Sequence, residues 1–169
     1  LAVNLWYGHP KTSVLLVDKP LPEGAGTNLQ PYGGRGWCRM EQRASAMVKN
    51  AACLISLSAL TGEEKHWYQV VEKGKGARLP PMSPAAFAAM LEEGVASGEI
   101  KFTNSGDVGL VCKIYERAFL TEMGDATLLA YGDLQWDDAA GVELCEALRY
   151  AQAHGGLTKL KVLHLFANK

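Results

Sequence analysis

Trp37, Cys38 and Glu41 fall within about one helical turn of each other in the run Arg35-Gly36-Trp37-Cys38-Arg39-Met40-Glu41. Side chains three or four apart meet on a helix surface. A carboxylate held beside an indole and a thiol at a strand-loop-helix junction could be a site. The competing reading of Glu41 is structural: it pairs with Arg35, Arg39 or Arg43 at the helix start, where the dipole also favours a negative charge. Trp37 and Cys38 read as core contacts, the indole locking the helix onto a sheet. Gly33-Gly34-Arg35-Gly36 precedes the same helix and could hold an anion through free N–H groups. That makes Arg35 and Gly36 the candidate cofactor-binding residues, against the plainer reading of a flexible loop.

Other chemistry has little support. Gly24-Ala25-Gly26-Thr27-Asn28-Leu29 supplies two glycines of a dinucleotide fingerprint but not the third, and there is no Walker A pattern. His9, His66, His154 and His164 have no second ligand at helical spacing, so no metal site is expected. Cys38, Cys53, Cys112 and Cys145 form no C-x-x-C pair and sit among apolar neighbours. They read as buried free thiols of a reducing, cytoplasmic compartment. A net charge of -1 gives no field for nucleic acid or membrane, and the apolar runs are far below the ~20 residues of a spanning helix. Leu1 and a strand-like pattern running to Lys169 read as the ends of an excerpt.

The elements that would position these residues follow from periodicity. Residues 1–6 and 13–18 read as strands, the second a short apolar run suited to a strand covered on both faces. A Gly- and Pro-rich loop over 20–36 excludes regular structure. A helix over 36–50 places Trp37, Met40, Ala44, Met47, Val48 and Ala51 on one stripe and leaves Arg35, Arg39, Gln42, Arg43 and Lys49 mostly elsewhere, in solvent. A second buried strand over 51–57 completes a βαβ pattern and hence a parallel sheet. Thr61 and Glu64 match a capping box for a helix over 61–73. Lys73 to Pro81 makes a basic linker, solvated by default. Ser83-Pro84 opens the next helix as N-cap and N1, and Ser105-Gly106-Asp107 opens another. These last two helices read as a connector.

The last forty residues change character. Leu129-x-Tyr131-x-x-Leu134 aligns with Leu163-x-Leu165-x-x-Asn168, across a helical pattern from Asp137 to about Ala153. In such a unit the leucines point into a stack and the Asn bonds the backbone of the turn, the logic of leucine-rich repeats. Leu134, standing where Asn is expected, suits a terminal unit.

On these residues the segment from Trp136 to Asn168 resembles the opening of a ribonuclease-inhibitor-type leucine-rich repeat array, which implies a protein-binding scaffold. Residues 14–57 are similar to the second half of a Toll/interleukin-1-receptor (TIR) domain, on the strand Val14 to Val17, the helix opening Trp37-Cys38-x-x-Glu41, and the strand Cys53 to Leu57. In plant members W-C-x-x-E occupies this place and its Glu cleaves NAD, so the resemblance implies Glu41 as catalytic. The family's first strand and its pocket loop have no counterpart here, and the loop before the motif is longer and richer in Gly and Pro.

The sequence therefore predicts an α/β protein: a partial parallel sheet with flanking helices over 1–60, a helical connector over 61–124, and a strand-helix-strand repeat start over 125–169. Its expected role is signalling or scaffolding through a protein partner, with no resident cofactor. The alternatives are an NAD-hydrolysing enzyme using Glu41 and a non-catalytic nucleotide-binding module using Arg35 and Gly36.

Overall fold

The computed structural model describes residues 3–20, 22 and 30–169. Leu1 and the glycine pair Gly24 and Gly26 lie outside that set. Among the described residues two small parallel sheets sit with six α-helices, so the mixed helix and parallel-strand class expected from the sequence holds at that level.

In the first sheet β1 (Val14–Leu16) pairs with β2 (Leu54–Ser56) in the register Val14↔Leu54, Leu15↔Ile55, Leu16↔Ser56. Helix α2 (Gly36–Ala46) connects them and buries Met40 and Ala44, with Met47 just beyond its end. In the second sheet β3 (Leu128–Ala130) pairs with β4 (Val162–His164) across α6 (Asp138–Ala153). Between them lie α3 (Trp67–Gly74), α4 (Pro84–Ser97) and α5 (Asp107–Asp125). Ser83 caps α4 by accepting the Ala86 N–H, Pro84 stands in its first turn, and Gly98 ends it in the left-handed conformation at φ 80°.

One large core joins the helices to the second sheet, while Leu16, Ala46 and Leu54 form a separate small cluster at the first. The large core runs from Met40 and Met47 through Phe87 and Leu91 of α4 and Tyr115 and Phe119 of α5 to Leu129, Leu144 and Ala147. Phe87 stacks on Tyr115 with centroids 3.9 Å apart. The helices expected to be a connector thus supply the centre of the core, and it runs unbroken across residues 60 and 124.

Several local expectations are corrected. Residues 3–8 form a helix, α1 (Val3–Gly8), not a strand. Helix α2 stops at Ala46, and Ala51–Cys53 is a 3-10 turn leading into β2. The Thr61–Glu64 pairing exists, with Glu64 accepting from the Thr61 N–H and hydroxyl, but Gly62 at φ 87° turns the chain and no helix starts there. Helix α3 begins at Trp67 on a capping box made by His66 and Gln69. Cys145 is exposed, the other three cysteines are half-buried, and all four are free.

The largest correction concerns cations. Arg43 and Lys49 are buried, not solvated. Arg43 Nη1 donates to the Pro80 carbonyl at 2.8 Å and to Glu143 at 2.5 Å. Lys49 donates to the His9 carbonyl and, at 2.6 Å, to the Thr12 hydroxyl. Arg78, from the supposedly solvated linker, is buried as well. Its Nε donates to the Ala46 carbonyl at 3.0 Å and its Nη1 to the Ala130 carbonyl at 2.7 Å. The Tyr131 hydroxyl donates to the Met47 carbonyl. Arg78 and Tyr131 thus close the C-terminal end of α2, where free carbonyls and the negative end of the dipole favour donors and cations.

Candidate functional site

The βαβ connection carries the first turn of α2 toward the carboxyl ends of β1 and β2, the region where open parallel sheets form their crevices. Asp18 follows β1 and accepts from the Ser56 hydroxyl at 2.6 Å and the Ser58 N–H at 2.8 Å. Burial pushes its carboxyl up, but these hydrogen bonds outweigh it and hold the group below the ordinary range. Tyr32 lies in the 3-10 turn Tyr32–Gly34 ahead of α2 and packs against the small cluster of Leu16, Ala46 and Leu54.

Glu41 is half-buried. Burial raises its carboxyl above the ordinary range, and the Tyr7 hydroxyl, directed at it from α1, partly offsets that. Tyr7 is itself raised, by burial first and then by the Glu41 charge. The Cys38 thiol is pushed up by burial and then by Glu41, with Arg35 working the other way. Burial also raises Tyr32, with further contributions from Cys38 and Glu41. The arrangement is thus a proton-affine carboxyl flanked by three groups that stay neutral at ordinary pH. Cys38 as a thiol is a poor nucleophile. Glu41 has the chemical capacity of a general acid or of a carboxylate facing a developing positive charge.

The helix-start ion pairs considered for Glu41 do not form with Arg39 or Arg43. Arg43 turns to Glu143, and Arg39 Nε donates to the Gly33 carbonyl at 2.5 Å. Trp37 does anchor the helix: its indole packs on the main core and donates to Asp107 at 3.0 Å.

Arg35 and Gly36 are placed by pairing with a distant segment. The Gly36 N–H donates to the Lys101 carbonyl at 3.1 Å, and the Lys101 N–H returns to Gly34 at 2.8 Å. The N–H groups of Gly34 and Arg35 bond Pro31 and Tyr32. These three backbone donors are therefore committed inside the fold, so the anion route expected through them has no free donor at these positions. Gly36 is required for a different reason: a Cβ there would run into the Phe102 ring.

Tyr7, Tyr32 and Asp18 were not among the residues singled out from the sequence. Nothing in their spacing marks them, because α1, the 3-10 turn and β1 meet α2 only in the folded chain. Among the described residues no group of three His, Cys, Asp or Glu side chains could hold a metal ion, and no helix is long and apolar enough to cross a membrane. In comparisons with known proteins no family model matches the chain, and neither a curated protein nor a solved structure does so.

Proposed function

We propose that the chain acts through protein–protein interaction, with residues 125–169 as the opening of a leucine-rich repeat array mounted on a TIR-like α/β unit. The observation that carries this reading is the pairing of β3 with β4. Leu128, Leu129 and Ala130 face Val162, Leu163 and His164, and Asn168 stands 34 residues after Leu134, the position it bonds. Leu163 within β4, and Leu165 and Phe166 just beyond it, are exposed. A cavity of about 590 Å³ lies beside them, lined by Val142, Leu144, Cys145, Leu165 and Asn168. An open parallel edge with apolar side chains is a surface on which another strand–helix unit can stack.

Fusing one consensus ribonuclease-inhibitor-type unit after Lys169 tests this. Nearest-neighbour stacking should raise unfolding stability by about 2 kcal/mol or more and slow amide exchange in β4. An unchanged denaturation midpoint with β4 still unprotected would sink the array reading.

A second reading is NAD hydrolysis by Glu41, supported by its half-burial, its raised proton affinity and the Tyr7 hydroxyl beside it. It expects nicotinamide release that drops by at least about 100-fold in Glu41→Gln, the scale of a lost general acid. Equal rates in the two proteins would remove it. The nucleotide-binding reading through Arg35 and Gly36 has no comparable observation in its favour.

A further inference from the structure

We propose that residues 3–12, helix α1 and the turn after it, form an occluding strap over the Glu41 face of α2, with Lys49 as its clasp. Helix α1 packs against α2 and α5. Tyr7 is partly buried against the main core, with its hydroxyl toward Glu41, while Trp6 on the next position is exposed. Gly8 lies so close to Glu122 of α5 that a Cβ would collide with the carboxylate. The strap therefore fits closely against both helices, and it stands between Glu41 and solvent on that side.

The clasp is specific. Lys49 is fully buried, and both of its hydrogen-bond partners belong to the turn: the His9 carbonyl and the Thr12 hydroxyl. Thr12 in turn donates to the Trp6 carbonyl at 2.6 Å, closing the last turn of α1. A cation at a helix C-terminus is favourable, but a buried ammonium without a carboxylate partner carries a large desolvation cost. Lys49 forms no ion pair among the described residues, although the Glu122 charge of α5 acts on it from further off and offsets part of its burial. Lifting the strap breaks its bonds and at the same time returns the ammonium to water. The two effects oppose each other, so a six-residue helix held this way opens at a small fraction of the cost of global unfolding. A ligand reaching for the Glu41 carboxyl competes with Tyr7 for the same position. This occlusion concerns access to the carboxyl and holds whether or not Glu41 cleaves NAD.

Carbodiimide modification tests it. The carboxyl adds to the carbodiimide as an O-acylisourea, and glycine ethyl ester displaces the urea to leave an amide, read at Glu41 by peptide mapping. Exposed Glu63 serves as the internal standard, with hydrogen exchange of residues 3–12 followed in parallel. In the parent chain Glu41 should react at least tenfold more slowly than Glu63. Lys49→Met and Thr12→Val should each speed strap exchange and raise Glu41 modification threefold or more, leaving α5 and α6 exchange unchanged. If Lys49→Met fails to fold, Thr12→Val gives the reading alone. Glu41 reacting as fast as Glu63 in the parent, strap exchange unmoved in the folded variants, or faster strap exchange without greater Glu41 modification would each overturn the proposal. Failure to release nicotinamide would leave this result untouched.

Discussion

Replacing Arg78 by Ala should lower unfolding stability by about 4 kcal/mol, the scale of truncating a large buried side chain and orphaning its partners. The guanidinium is fully buried and donates to two carbonyls, Ala46 at the end of α2 and Ala130 at the end of β3. It also lies 4.8 Å over the Tyr131 ring, and its own carbonyl accepts the Trp136 indole N–H at 2.9 Å. One side chain therefore joins the end of α2 to the second sheet. Burial lowers the pKa to about 10, so the charge persists at neutral pH, and removing it returns part of its desolvation cost. The orphaned carbonyls and the cavity outweigh that return. Arg78→Met separates the contributions: it fills most of the space but supplies no donor, and should cost about 2 kcal/mol. Urea unfolding of both variants gives the comparison. A Met variant as stable as the parent would mean that the hydrogen bonds contribute nothing net, as happens when an apolar side chain replaces a buried charge.

What was legible in the sequence and what was not divides along sequence distance. The start of α4 was readable because Ser83 and Pro84 act within a turn of themselves. The helix between two strands was readable because apolar periodicity is local. The buried cations were not. Glu143 stands 100 residues from Arg43 in the chain, and the turn that receives Lys49 is supplied by His9 and Thr12. An Arg or Lys on a helix is solvated unless a distant partner accepts it, and no window of sequence contains that partner. Residues 3–6 were misread because the apolar alternation of Val3 and Leu5 fits a strand, yet they lie in α1. Tertiary packing decides: Tyr7 reaches the main core from α1. The same packing turns Glu41 from one residue of a motif into one member of a four-residue cluster.

Asn168 gives the second large effect, and it is the residue on which the repeat reading rests most directly. Its side-chain oxygen accepts the N–H of Leu134 at 3.1 Å and of Trp136 at 3.3 Å. Its amide nitrogen donates to the Tyr131 carbonyl at 2.7 Å and the Leu165 carbonyl at 3.1 Å. Four backbone groups of two successive turns thus depend on one side chain. The turn they form is otherwise strained, with Asp133 at φ 57° and Gln135 at φ 59°. Asn168→Ala should cost about 3 kcal/mol, several hydrogen bonds at a net ~1 kcal/mol each. Asn168→Asp keeps the two accepted bonds, loses both donated ones, and places a charge beside two carbonyls, so it should be no better than Ala. The location of the damage matters more than its size. β4 is exposed along its length and makes one ladder only, to β3, so its amides should exchange first while α4 and α5 keep their protection. If Asn168→Ala instead lowered protection evenly across the chain, the last turn would be an integral part of the main core. The 34-residue correspondence would then be a coincidence of spacing, not the first stacking contact of an array.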